Sequence, residues 1–569
     1  MADFPATIDL STAGAAVIVM GGEGNDKAGA SVSEAGDVNG DGIGDFIVGA
    51  PYGSTAVQYA GAAYVIFGKA GGLPPSIDLA TPLAAADGFA IQNDAAHDHL
   101  GFSVSGAGDY NGDGFADLIV GERYGDNAGD NAGKSYVVFG KASGFATIDL
   151  AGADAGDDFI ILQGDDTGDQ LGTSVSFAGD VNGDGLDDLV IGAPRGEDDI
   201  YNSGQAYVIF GKPAGSETDI DLDDDDVGGP IAAADGYVIG IGSSSSYDSF
   251  GQAVSGAGDV NGDGFDDIIV GAPQADFGNG DRGAAYVIFG TDQGFAGITP
   301  AMFDPSDAGY DPSVGFAIRG DAGSDLLGKS VSGAGDVNGD GYDDVIVGVY
   351  SGSDGGPSAG EAYVIFGKPS GFGEIELGTP IAATDGFHIL GAFDFDRFGM
   401  SVSDAGDING DGFDDIIIGA TQEDSGGLGA GAAYVIFGKV DGFGTIDLDT
   451  PLNGTNGFKI QGDVTGDSAG RSVSSAGDVN GDGFDDIMVG AHYGDDGGGY
   501  AGEAYIIYGR APTTAVTRTG SAGDQTIRGG AFDDDLFGLG GADRLIGSGG
   551  HDRLDGGAGI DRMFGGTGN

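Results

Sequence analysis

One nine-residue pattern, D-x-N-G-D-G-x-x-D, occurs seven times in this chain, and its residue types are those of a hard-cation site. The first position is Asp37, Asp109, Asp180, Asp259, Asp336, Asp407 and Asp478. The third is Asn39, Asn111, Asn182, Asn261, Asn338, Asn409 and Asn480, and the fifth is Asp41, Asp113, Asp184, Asp263, Asp340, Asp411 and Asp482. The ninth is Asp45, Asp117, Asp188, Asp267, Asp344, Asp415 and Asp486. Alternate side-chain oxygens can converge on one point, the glycines at positions four and six allow a sharp turn, and position seven can add its backbone carbonyl. Those carbonyls belong to Ile43, Phe115, Leu186, Phe265, Tyr342, Phe413 and Phe484. Three carboxylates held this close repel one another without a cation, so the pattern predicts about seven calcium ions.

Copies of the loop also separate ligands from bystanders. Position nine never varies, whereas position eight is Asp in five copies but Gly44 in the first and Ala116 in the second. Position eight is therefore left out of the ligand set. An EF-hand loop begins in the same way but needs Glu at position twelve and flanking helices. Position twelve here is Val48, Val120, Ile191, Val270, Val347, Ile418 and Val489, all β-branched residues in strand-like runs.

The elements that must position the loops recur with them. Successive first aspartates are 72, 71, 79, 77, 71 and 71 residues apart. Each period holds an apolar stretch such as Gly457 to Gln461 (GFKIQ), then S-V-S-x-A-G, the loop, D-I-I-V-G-A and A-Y-V-I-F-G, with a T-I-D-L-like segment before most copies. These short runs, rich in Val, Ile, Phe and Tyr and bounded by Gly and Asp, read as strands joined by turns. Four strands per unit, seven times over, predict an all-β fold: a seven-bladed β-propeller over residues 1–511. Thr7 to Leu10 (TIDL) precedes the first copy with no counterpart after the seventh, so it is expected to latch the ring closed.

At these residues the chain resembles the FG-GAP repeat family, best known from the propeller head of integrin α chains. The F-G-x-S-V element stands as Phe398 to Val402, and G-A-P as Gly49 to Pro51, Gly192 to Pro194 and Gly271 to Pro273. Leu100 replaces the phenylalanine before Gly101 in another copy. Integrin heads carry the metal loop in only some blades, whereas here every unit has it. The resemblance implies an extracellular, calcium-rigidified platform for adhesion or ligand binding; integrin leg domains and a transmembrane segment are missing here, so β-subunit pairing is not carried over and a monomeric propeller is expected.

After Pro512 the pattern changes to nonapeptides: Gly529 to Phe537, Gly538 to Ile546, Gly547 to Asp555 and Gly556 to Phe564. They resemble RTX repeats, with Asp534, Asp543, Asp552 and Asp561 in the sixth position. Residues 529–569 are then expected to form a short parallel β-roll that binds further calcium ions, with residues 512–528 a linker or a degenerate first repeat. In that family's roll two nonapeptides make one turn, so Asp534 would share an ion with Asp552, and Asp543 with Asp561. Phe532 in place of the fourth glycine would weaken the first site. The register stops at Gly565 to Asn569, one residue before the next Asp, and suggests that the recorded sequence is truncated. The resemblance also implies one-step bacterial secretion through a C-terminal signal, placing the protein outside the cell or on its surface.

Composition narrows the partners. A formal net charge of -70, from 91 acidic and 21 basic residues, argues against nucleic acid, and seven calcium ions would bring it only to -56. No Cys is present, so neither disulfides nor thiolate metal sites are available. No apolar run approaches the roughly 20 residues that span a bilayer. Met1 to Leu10 lacks a basic stretch followed by an apolar one, so export would need another route than a cleaved signal peptide.

Three features invite sharper readings. Arg319, Gly320 and Asp321 spell an integrin-recognition tripeptide, but the same slot holds Gln163, Gly164 and Asp165, or Gln461, Gly462 and Asp463, in other copies. His97, Asp98 and His99 suggest a transition-metal site. Asp98, however, belongs to a set eleven residues before every loop, with Asp26, Asp169, Asp248, Asp325, Asp396 and Asp467, expected to cap a turn or to support the metal loop. G-x-S-x-G occurs at Gly356 to Gly360 and Gly466 to Gly470, without the strand-turn-helix setting of a nucleophile elbow, and H-E-x-x-H is absent. The reading is a non-enzymatic, calcium-binding adhesion protein with an extracellular protein or glycan ligand; the rivals are a lectin-like binder and the non-catalytic part of a secreted RTX hydrolase.

Overall fold

In the computed structural model the chain is all-β, with no α-helix among the described residues. These are residues 4–567 apart from 13, 15, 54–57, 94, 127–130, 151–157, 165, 197–202, 223–230, 241–247, 277–279, 296–297, 299–301, 304–308 and 441. No helix among them is long and apolar enough to cross a membrane.

Seven antiparallel sheets form the propeller. Blade one runs outward as Ser31–Gly36, Asp45–Ala50, Ala62–Ile66 and Gly88–Gln92. The inner strands are built of Ser, Val, Ala and Gly because seven of them crowd around one axis, leaving a channel of about 430 Å³ lined by residues such as Ser33, Ser176 and Ser403. The first serine of S-V-S joins neighbouring blades: Ser31 Oγ accepts the Val104 amide at 3.1 Å, and the Ser472 hydroxyl donates to the Gly29 carbonyl at 3.0 Å. Second and third strands are buried on both faces, which is why they read as continuous apolar runs rather than as alternation. Seven apolar clusters result, each filling the seam between two adjacent blades, as where Ile269 and Val287 of blade four meet Val345 and Val347 of blade five.

The T-I-D-L segments do something the period alone does not reveal. Each crosses back to the preceding blade and adds a short parallel fifth strand, as Ile148–Asp149 does on Gly88–Gln92 and Ile446–Asp447 on Gly386–Leu390. This corrects the expected latch. Thr7–Asp9 pairs in parallel with Lys459–Gln461 on blade six, whereas the ring is closed by Val17–Met20, which becomes the fourth strand of blade seven, antiparallel to Glu503–Ile506. Ser76–Asp78 then pairs with the closing strand from outside.

The C-terminal segment forms two three-stranded parallel sheets. Thr517–Thr519, Asp535–Phe537 and Arg553–Asp555 make one, and Thr526–Arg528, Arg544–Ile546 and Arg562–Phe564 the other. Partners are eighteen residues apart, two nonapeptides to a turn, and residues 517–528 supply the first strand of each sheet. Ile527, Leu536 and Leu545 fill the interior.

Closure predicts a graded response. Deleting residues 1–10 removes one fifth strand and should lower the melting temperature modestly, while deleting residues 1–20 opens blade seven and should lower it by more than about 10 °C, since a whole blade edge and two seams lose their cover. Calorimetry of the two deletions checks the order; equal melting would remove the role given to Val17–Met20.

Candidate calcium centres

All seven loops join the first strand of a blade to the second, at one end of the propeller. In the first, the Asp37 carboxylate accepts the amides of Asp41 and Gly42 at 3.0 and 2.8 Å, and Asp41 accepts that of Ile43 at 3.0 Å. Asp45 is fully buried and spans two connections: one oxygen accepts the Val38 amide at 3.0 Å, the other the Gly68 amide at 2.8 Å. The Asn39 amide group lies 3.3 Å from Asp45. The same ninth-position bonds return in blade seven, where Asp486 accepts from Val479 and Gly509.

Burial pushes the ninth-position carboxyls far above their ordinary range: to about 7 for Asp45 and about 8 for Asp117, Asp188, Asp267 and Asp486. Asp344 and Asp415 move in the same direction. The negative charges at positions one and five of the same loop add to the rise, and backbone amides partly oppose it. A divalent ion among these oxygens would hold all three ionised and remove their repulsion. The donor set therefore fits calcium: carboxylate, amide and carbonyl oxygens with no nitrogen or sulfur.

Position eight, set aside above as a bystander, has its own task. Asp187 accepts the Asp109 amide of the preceding loop at 2.6 Å, and Asp266, Asp343, Asp414 and Asp485 repeat this contact to Asp180, Asp259, Asp336 and Asp407. The position-eight amide also donates to the first carbonyl of the preceding loop, from Gly44 and Ala116 to Asp478 and Asp37 at 3.2 Å and from Asp266 and Asp343 to Asp180 and Asp259 at 3.3 and 3.4 Å, so Gly44 and Ala116 keep this bond and lack the carboxylate one. Position seven also contributes its side chain, since the Phe265 ring covers Gly183 so closely that a Cβ there would lie 2.4 Å from it. Five aspartates in seven copies were the available signal; the other two loops are joined to their neighbours by the backbone bond alone at this position.

The set eleven residues before each loop does not support the metal. Its backbone carbonyls accept amides just beyond the second strand, as Asp98 does from Tyr124, and the Asp26 and Asp325 carboxylates cap turns on the amides of Glu23 and Ala322. That is the opposite end of a six-residue strand, on the order of 20 Å from the loop. The turn-cap reading is the one the geometry carries. Arg319 is engaged by Glu374 at 2.5 Å and Glu376 at 3.7 Å, so the tripeptide is part of a blade edge. Asp165 of its counterpart lies outside the described residues. His97 is exposed, but His99 is half-buried against the rings of Tyr52 and Tyr124, and burial lowers its imidazole to about 4. Ser358 and Ser468 sit in turns at positive φ, with no helix following.

In the roll, Asp552 Oδ1 accepts the Asp534 amide at 3.0 Å and Asp561 Oδ1 the Asp543 amide at 3.2 Å, so the sixth-position aspartates stack in the expected pairs. The roll rests on the metal loop of blade six. Arg518 donates to the carbonyls of Asn409 and Gly410, the Arg528 amide reaches Gly410 at 2.8 Å, and Gln525 donates to Gly412 at 3.0 Å.

A ring of β-blades tied by Asp-Asn-Asp loops, followed by a nonapeptide roll, is the architecture of a calcium-binding repeat protein. Comparison with known families agrees: the chain carries seven FG-GAP repeats, at residues 28–66, 100–138, 171–209, 250–288, 328–365, 398–436 and 469–507, and RTX calcium-binding nonapeptide repeats at 519–554 and 546–569. Its relatives include integrin alpha pat-2 of Caenorhabditis elegans, 30% identical over 48% of this chain and 19% of the relative. Integrin alpha-4 of Xenopus laevis is 30% identical over 32% and 14% respectively, and human integrin alpha-IIb 31% over 33% and 16%. The chain thus spans less than a fifth of the length of these relatives.

Two outcomes follow. Asp266→Ala leaves the Asp180 amide without its carboxylate and should cost about 1.5–3 kcal/mol in denaturant unfolding. The raised ninth-position carboxyls favour the protonated native state, so the chelated protein is most stable below the unfolded value near 4 and loses stability as pH rises toward 8. The gain in melting temperature on adding calcium should therefore be larger at pH 8 than at pH 5. Equal gains at both would break the link to these carboxyls.

Proposed function

We propose that this is a secreted or cell-surface adhesion module, calcium being structural, whose anionic extracellular ligand docks at the channel mouth on the face opposite the metal loops. One observation carries the reading: in a chain with 91 acidic and 21 basic residues, four cations gather at that mouth, two of them over aromatic rings. Lys27 lies 4.1 Å over the Tyr52 ring and 5.1 Å from that of Tyr493, and Arg123 stacks on Phe102 and Tyr124 at 4.7 and 5.0 Å. Lys329 and Arg471 precede the inner strands Ser330–Gly335 and Ser472–Gly477. The charged neighbours that act on these four are other cations and tyrosines, and burial with Arg471 and Arg123 nearby lowers Lys329 to about 8.

The roll occupies the metal-loop face, which leaves the mouth accessible. A polyanion would displace the mutual repulsion of the cations, and the rings add flat contact area. A glycan ligand is the second reading, favoured by Phe393, Phe395 and Tyr500 on the same face, each about 60% exposed and suited to stacking on sugar rings. Both matched families are repeat modules, and we assign the chain no chemistry of its own. The one-step bacterial export implied by the RTX resemblance belongs to the same proposal.

The test is retention on an immobilised sulfated polysaccharide in calcium-containing buffer. The parent should be retained and released by salt, and Lys329→Ala/Arg471→Ala should weaken binding about tenfold with unchanged melting. A parent that passes straight through would end the anionic-ligand reading.

A further inference from the structure

The seam between blades six and seven gathers acids of a second kind, on the face opposite the nine-residue loops. Asp463 lies just beyond Gly457–Gln461, Asp496 in the turn before the third strand, and Glu503 opens that strand. One carboxylate oxygen from each lies within 4.8 Å of the other two, the span expected around one ion with oxygens at 2.3–2.6 Å. Glu503 is buried and held in place: it accepts the Asp496 amide at 2.7 Å and the Tyr505 hydroxyl at 2.5 Å. Asp467 is only 4% exposed, has Glu503 and Asp463 as its nearest charged neighbours, and its Oδ2 has no hydrogen-bond partner. Carboxylate oxygens buried in this way are costly unless something positive meets them.

In other blades something does. Lys134 lies 3.4 Å from Glu122 in blade two, both buried, and Lys459 lies 2.6 Å from Glu423 in blade six. In blade five the His388 ring approaches Glu361 at 3.1 Å. Blade seven keeps the acids and lacks the base. Gly494 stands sixteen residues after its loop begins, where blade six has Glu423, and a Cβ on it would lie 2.4 Å from the Glu503 carboxyl carbon. Glu503 therefore fills the space of Glu423. Across the sheet, Ile18 pairs with Tyr505 as Lys459 pairs with Tyr434. The position that supplies an ammonium in blade six supplies a hydrocarbon here.

We propose that Asp463, Asp496 and Glu503, backed by Asp467, bind one divalent cation in place of the missing lysine. An all-oxygen, nitrogen-free set suits a hard ion, with calcium first and manganese as a usable probe. The site is separate from the seven loops and from the roll, and it stands whether or not the channel mouth binds an anion.

Two measurements on the full-length chain test it. Anomalous diffraction from manganese-soaked crystals should show a peak between Asp463, Asp496 and Glu503; occupied loops with no peak there would overturn the site. In calorimetric titration with calcium, Ile18→Lys, which leaves every acid in place, should bind one equivalent fewer than the parent and melt several degrees higher in chelator. Asp463→Asn/Glu503→Gln should also lose that equivalent. Unchanged calcium stoichiometry in a folded Ile18→Lys protein would equally reject the proposal.

Discussion

The architecture hangs on a carboxylate buried at the start of each second strand. Asp45 and its six counterparts take an N–H from the metal loop, backbone or asparagine side chain, and a backbone amide two residues past the third strand, so a single side chain fixes two connections of a blade. Burying an acid there is unfavourable in isolation, and the loop adds two more negative groups beside it. A proton offsets that cost at low pH, and a divalent cation would offset it at neutral pH. A chain without cysteine, carrying 120 glycines and a charge of -70, thereby places its cross-links in oxygen and metal rather than sulfur.

From these centres the seams follow. Position eight reaches back to the preceding loop, position seven packs its side chain on that loop's glycine, and the first serine of the inner strand bonds the next blade. Each is a contact between copies, which is a reason for the loop and its flanking strands to recur together from blade to blade. The same logic places the roll: Arg518 takes backbone carbonyls of a metal loop, groups that are well oriented only if the loop is ordered.

Much of this was legible in the sequence, because loops and strands are local. Seven exact metal patterns gave the blade count, and β-branched residues at position twelve ruled out the helical alternative. What stayed hidden was non-local. The closing strand Val17–Met20 has no repeat partner ahead of it to align with, so Thr7–Asp9 drew attention instead, although it pairs one blade earlier. Asp187 and its counterparts were discounted because two copies lack them, yet in the five that have them the carboxylate binds the preceding loop's first amide, a partner one period away in the chain. Asp98 and its set recur with the loop in sequence but stand at the far end of the strand, since a fixed interval along the chain is no measure of distance in space.

The docking of the roll has a mechanical consequence. A load pulled through the C-terminal segment reaches the propeller first at Asn409 and Gly410, through a few hydrogen bonds from Arg518, Gln525 and Arg528. Only when they part does it pass along residues 510–516 to Glu503–Ile507, the neighbour of the strand that closes the ring. Those bonds are far fewer than the ladders and seams of a blade, so under tension the attachment yields before the ring opens. The roll can then lift from the loop face while the blades keep their ladders, and the same few bonds re-form when the force falls.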